Sequence, residues 1–322
     1  AWGVPLLLAL IDGTAATSDT PYLLDLGVWA RFVIAVGLFT LMERLIEDRL
    51  HAHLWPFVRA PILAPESFEP AAEAVVDALK RRDSRMAEMI CLAIAVVASA
   101  SSLLRLLDDQ TASWAVHVTA EGNALTLAGW WVVLISAPMF WFLLMRSLWR
   151  HFVWGELLRA LAALKLRLVV THPDGKGGLA FIGEYPKAYA TFVFAVSCSL
   201  AAAIAQEFLT GELAVTTYGV IMGIWLILVM ALFAFPLLVF RKQLLKLKQD
   251  TLVACNEQAL RHYRAAERET LGTNISAPDA DETVASSDVP DPAKIFTAAQ
   301  GLSLFLVGHS TFMTIAAAAL IP

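Results

Sequence analysis

Charged side chains are scarce in this chain. They make up only 16% of the 322 residues, while 58% are hydrophobic and the mean hydropathy is +0.64. A soluble domain carries about 25% charged residues. The shortfall excludes an ordinary water-facing globule and points to a bilayer as solvent. The net charge of −5 argues against a nucleic-acid partner. Cysteine is also sparse. Cys91, Cys198 and Cys255 show no CxxC or Cys/His zinc spacing. They read as packing residues, since a buried free thiol behaves as a small hydrophobe. There is no nucleophile–base pairing and no metal signature. No cofactor is implied, and an enzyme ranks last among the readings below.

Cations are missing from two loops altogether, 108–124 and 209–215. All but two of the 24 Lys and Arg residues fall in three stretches, 43–85, 146–187 and 241–294, the exceptions being Arg31 and Arg105. Basic residues are retained on the cytoplasmic side of a bacterial inner membrane. The alternation therefore predicts those three stretches to be cytoplasmic, with 13–21, 108–124, 210–215 and the C-terminus outside.

Long apolar runs fill the space between. Trp2 to Ile11 is too short to span, because a crossing needs about 20 apolar residues. With no basic region before it, it reads as the outer end of a helix that begins before Ala1. Segment A runs from Tyr22 to Met42 and continues as a helix through Arg49 until Pro56 and Pro61 break it. Ser67 as N-cap, with Pro70 in the first turn, starts an amphipathic helix over 70–85.

Segment B is Met86 to Leu107. Segment C starts at Leu125, and its helical spacing persists to Val170. That is a rod of roughly 65–70 Å at 1.5 Å per residue, with Pro138 as a kink point. Segment D is Ala188 to Leu209, and segment E is Val215 to Phe240, extended as a helix to Glu269. Residues 270–292 lack an apolar period and read as a flexible linker. Segment F, Ile295 to Ile321, reads as the last span. The expected fold is all-α: a polytopic transmembrane bundle of six full spans and one partial one, with long cytoplasmic helical extensions. By blocks, 1–58 holds the partial span, segment A and its extension. Residues 59–85 hold the amphipathic helix. The core is 86–240, with its central loop at 146–187. A cytoplasmic helix covers 241–269 and the linker 270–292, with the last span in 293–322. The apolar stripes of the extensions suggest a homo-oligomer.

Between segments C and D lies Thr171-His172-Pro173-Asp174-Gly175-Lys176-Gly177-Gly178. Its glycines could let backbone N–H groups converge on an anion, with Lys176 adding charge. His172, Asp174, Lys176, Gly177 and Gly178 are then a site for a small cytoplasmic ligand. The spacing is not GxxxxGK[ST]. Pro173-Asp174-Gly175 is equally strong turn chemistry, which would leave the stretch a structural turn.

Three stretches together resemble a group of uncharacterised bacterial polytopic inner-membrane proteins. They are Trp29-Ala30-Arg31-Phe32, Arg82-Asp83-Ser84, and Thr171-His172-Pro173-Asp174 with Gly177-Gly178-Leu179. In that group the loop looks like HPDxxGGL. The resemblance covers most of the chain up to segment F and implies a further apolar helix before Ala1. It implies no activity.

Within the spans, Arg31 sits near the middle of segment A. A charge there costs roughly 2.5–3.5 kcal/mol on insertion scales and suggests function by default. Asp25 is poorly phased to pair with it, so Gln206 or Glu207 of segment D, or His309 of segment F, are better partners. Together these five form a candidate ion pathway, or else a polar lock between helices. Glu43, Glu47 and His51 recur every four residues, with His53 nearby. They read as a solvated or interhelical charged face rather than a metal site.

Three functions remain open. One is an oligomeric ion channel or ion-coupled transporter, resting on Arg31, Glu207 and His309. Another is a structural or signalling subunit that senses a ligand at 171–178. The last is a membrane-embedded enzyme in which His172, Asp174 and Lys176 converge with Glu184 or His151.

Overall fold

A computed structural model describes residues 1–17, 21–108, 113–119, 122–209, 215–278 and 285–322. The fold is all-α, with one short β-hairpin among the described residues. The helices are α1 (Gly3–Ile11), α2 (Leu26–Arg59), α3 (Phe68–Arg82), α4 (Arg85–Asp108), α5 (Leu127–Ala162), α6 (Ala190–Leu209), α7 (Val215–Ala234), α8 (Arg241–Leu271), α9 (Ala293–Gly301) and α10 (His309–Leu320). The hairpin pairs β1 (Val116–Thr119) with β2 (Gly122–Leu125). Five helical stretches are long and apolar enough to cross a membrane: α2, α4, α5, the turn 180–189 with α6, and α7 running on into α8.

Local chemistry sets the helix starts. Asp25 caps α2, accepting from Gly27 N at 2.8 Å and Val28 N at 3.2 Å. Thr126 caps α5, accepting from Gly129 N at 2.9 Å. Both satisfy N–H groups that a first turn leaves open. The same two residues knit one end of the bundle. Trp114 Nε1 donates to Asp25 Oδ2 at 2.9 Å, and Thr126 Oγ1 donates to the Trp114 carbonyl at 2.9 Å. Here α5 passes so close to the hairpin that a Cβ on Gly129 would lie 2.3 Å from the Ala115 carbonyl oxygen. The basic extensions gather at the other end.

Prolines inside the spans release carbonyls, and in hydrocarbon each needs a new donor. Before Pro138, residues Val132–Ser136 widen into a π-type turn. In that register the Val133 carbonyl would face the N–H that Pro138 lacks. Ser99 Oγ of α4 donates to it instead, at 2.8 Å. Pro236 likewise leaves the Leu232 carbonyl without its i+4 donor. His151 Nε2 of α5 meets it at 3.1 Å, while Tyr185 Oη donates to the Phe233 carbonyl at 2.8 Å. Gly155 leaves room for the Pro236 ring beside α5. The junction between α7 and α8 is thus held by two side chains of neighbouring elements, His151 and Tyr185.

Several boundaries differ from the sequence reading. The helix of segment C stops at Ala162, not Val170. Residues 164–167 instead run antiparallel to 62–64: Ala64 N donates to the Lys165 carbonyl at 3.0 Å, and Arg167 N to the Ile62 carbonyl at 2.7 Å. Ser67 precedes α3 without capping it, because its hydroxyl accepts from Lys165 N at 3.3 Å. Pro56 lies within α2, which continues to Arg59.

Segment F is not one span. It divides into α9 and α10 around an extended stretch, 302–308. At 1.5 Å per residue the 12 residues of α10 reach about 18 Å, short of a bilayer. The described parts of 270–292 are tied to α8. Asn274 is buried and donates to the Arg264 carbonyl at 2.9 Å, and Ser286 Oγ donates to Glu269 at 2.5 Å.

Candidate functional site

The loop 171–178 is a self-contained clamp. Asp174 accepts backbone N–H bonds from Lys176 at 2.8 Å, Gly178 at 3.1 Å and Ala180 at 3.0 Å, and His172 Nδ1 lies 2.9 Å from its carboxylate. Burial opposes its ionisation, yet these bonds outweigh that and hold the carboxyl below its usual range. Gly175, Gly177 and Gly178 all have positive φ, which only glycine adopts without strain.

Lys176 reaches out of the turn and donates to the Leu306 carbonyl at 2.6 Å, while Ser303 N donates to the Gly175 carbonyl at 2.9 Å. Burial lowers the Lys176 pKa against the pull of Asp174 and Glu184. The break between α9 and α10 follows from this docking. Lys248 Nζ adds bonds to the carbonyls of Gln300 and Leu302. Gly183 lets strand 302–308 lie against it, where a Cβ would stand 1.9 Å from the Leu306 oxygen. The Asp174 carboxylate and the Lys176 ammonium are therefore engaged by the protein's own groups. Of the residues named for an enzyme, Glu184 is near enough to act on the Lys176 charge, while His151 contacts other elements. His151 is buried against Leu232, and Glu184 pairs with Lys187 at 3.4 Å.

Asp25, Arg31, Gln206 and Glu207 share one end of the bundle, and His309 stands apart from them. Asp25 is a helix cap. Arg31 lies five residues inside α2 and is exposed. Gln206 is close to Gly27 at the same end, with Glu207 exposed beside it. His309 starts α10 next to the clamp. That is the opposite end of α6, about 30 Å away at 1.5 Å per residue.

A different cluster does converge, where α2, α3 and α5 meet. Its cavity of about 110 Å³ is walled by Phe39, Met42, Ile46, Leu50, Val75 and Leu143. A charged rim borders it. Arg82 donates to Glu47 at 2.6 Å and pairs bidentately with Asp83 at 2.9 and 2.8 Å. Its bonds to Asp83, then Glu47, hold Arg82 charged, and Arg82 in turn depresses the Asp83 carboxyl. Glu43 accepts from Arg150 at 2.6 Å and lies 3.3 Å from Arg146, which also approaches Glu88 at 3.6 Å. The face 43/47/51 is thus the interhelical charged face expected, with Glu43 and Glu47 bound to arginines.

Three residues that line the same cavity each hold a buried polar atom with no hydrogen-bond partner: Arg150 Nε, Trp154 Nε1 and Tyr189 Oη. Trp154 is 6% exposed and Tyr189 1%. Unsatisfied buried donors are costly, about 1–3 kcal/mol each; among the described residues Trp2, Trp131, His151, Gln243 and Thr311 hold other such buried polar atoms. Sequence reasoning missed the cavity, although the i,i+4 pairs Glu43/Glu47 and Arg146/Arg150 were visible signals. The Arg82-Asp83-Ser84 tripeptide forms the rim, and the HPDGKGGL stretch forms the clamp.

Compared with known protein families, curated proteins and solved structures, the chain matches none, so its functional reading rests on these residues.

Proposed function

We propose that the chain is a multi-pass membrane subunit that binds a small ligand in the cleft between α2, α3 and α5, acting in sensing or signalling. One observation carries this reading: a cavity between α2, α3 and α5 is lined by Arg150, Trp154 and Tyr189, each of which holds a buried polar atom without a partner. The basic alternation supports a bacterial inner membrane with the cleft at its cytoplasmic boundary. Conduction through a single chain is less well supported, because Asp25, Arg31 and Gln206 lie at the end of α6 opposite His309. The clamp at 171–178 then serves to fix the last segment rather than to receive the ligand.

Native mass spectrometry of the purified chain tests the reading. A stoichiometric small-molecule adduct is expected, lost in the double variant Trp154→Phe/Tyr189→Phe. Both substitutions keep the rings and remove only the unpaired donors. A chain that carries no adduct, or an adduct indifferent to the double variant, overturns it.

A further inference from the structure

We infer that the open edge of the extended stretch 164–168 takes an acidic peptide of a partner protein as an added β-strand. The pairing with 62–64 fixes which groups are open. Leu63 and Leu166 face each other, and their neighbours make the bonds: Ala64 N to the Lys165 carbonyl and Arg167 N to the Ile62 carbonyl. In a pair of this kind the facing residues turn their own N–H and C=O outward. Leu164 shows the direction, since its carbonyl accepts from Gln243 Nε2 of α8 at 3.4 Å. The next groups along that edge are the N–H and C=O of Leu166 and Leu168, which bond to no described residue. Leu166 and Leu168 line a cavity of about 230 Å³ against α8, with Gln243, Lys246, Leu247 and Asp250.

An unpaired edge is a template for another chain. Its donors and acceptors recur every two residues, about 7 Å in an extended chain. A second strand matches that spacing with its own main chain, which is how β-addition gains affinity. Side chains then name the partner. Leu164, Leu166 and Leu168 are half-buried on one face, while Lys165 and Arg167 are exposed on the other. A strand laid alongside continues both faces, because residues directly opposite point the same way. A second copy of this edge would set lysine and arginine against their like, which is unfavourable. A peptide alternating apolar and acidic residues meets leucine with hydrocarbon and cation with carboxylate. One carboxylate, Glu66, now serves both cations, at 3.3 Å from Lys165 and at longer range from Arg167.

The test uses the full chain in phosphatidylcholine nanodiscs and the peptide Ac-Val-Glu-Val-Glu-Val-NH2. Amide hydrogen exchange over 164–169 is followed by mass spectrometry. The peptide is expected to slow exchange at Leu166 and Leu168 at least tenfold. The same peptide N-methylated at every residue cannot pair and should protect nothing, and Ac-Val-Lys-Val-Lys-Val-NH2 should protect weakly. Leu168→Pro removes one outward donor and keeps the inward bonds of Lys165 and Arg167, so it should abolish the protection at Leu166. Leu168→Ala keeps that donor and should retain the protection. Unchanged exchange at millimolar peptide overturns the added strand. Equal protection by the N-methylated peptide or in the Leu168→Pro chain, or its loss in Leu168→Ala, does the same. Equal protection by the lysine peptide overturns the acidic partner. If exchange is slow without peptide and quickens once each nanodisc holds one chain, a second copy covers the edge and the peptide reading falls.

Discussion

His151 shows how one side chain sets the path of two helices. It is buried among Tyr185, Tyr189 and Phe233, and its one polar bond goes to the carbonyl that Pro236 releases. Its sequence neighbourhood is only a helix-period run, so an ionisable residue there suggests chemistry. The structure gives it a repair role instead, and Ser99 does the same at Val133. Removing either donor leaves a carbonyl unpaired in a region without water. His151→Phe keeps an aromatic ring in place and should cost about 1–3 kcal/mol. Ser99→Ala should fall toward the lower part of that range, since interhelical bonds in membranes average below 1 kcal/mol. Reversible unfolding in mixed detergent micelles measures both. A His151→Phe chain as stable as the parent would show that the Leu232 carbonyl had found another donor.

At the scale of elements, hydropathy makes α2, α4, α5, α6 and α7 legible, because each is a long apolar run with ends marked by charge or proline. The ends that go wrong are those set by tertiary contact. Leu164 to Arg167 keep a helical spacing, but the edge offered by Ile62–Ala64 wins them as an extended strand. Residues 295–321 are mostly apolar, with no Lys, Arg, Asp or Glu, and read as one helix. Hydropathy cannot register that Lys176, 130 positions away, claims the Leu306 carbonyl. The charged cleft was visible only in pieces, since folding α3 back onto α2 and α5 is what joins Arg82 to Glu47.

The clamp itself yields a prediction with two arms. Gly183→Ala would place a Cβ on the Leu306 oxygen, so strand 302–308 must lift away. Chymotrypsin should then cut at Phe305, which is already exposed, several times faster than in the parent. Acid should do the same. Asp174 titrates below its usual range when folded. Its contribution is therefore complete above the unfolded value of about 3.9 and is lost as pH falls through the folded one. Cleavage by pepsin near Phe305 should rise below about pH 4 in the parent and be raised already at pH 5 in Asp174→Asn. Equal cleavage rates in all three chains would mean the loop does not hold the strand.

For the whole molecule the deciding quantity is which end of the bundle faces the cell interior. The two ends differ in kind. One is the hairpin end, where Asp25, Trp114 and Thr126 interlock and the described loops carry no lysine or arginine. The other holds α3, the clamp and α8, with nearly all the cations. A protein inserted from the cytoplasm leaves its basic segments behind, since carrying them across is opposed by the membrane potential and by anionic lipid. His117 on the hairpin and Asp77 on α3 are both exposed, which makes them matched probes. In a cysteine-free background, His117→Cys should react with a membrane-impermeant maleimide in intact spheroplasts. Asp77→Cys should stay unlabelled until the membrane is opened. The reverse pattern would put the cleft on the outer face, open to the cell's surroundings.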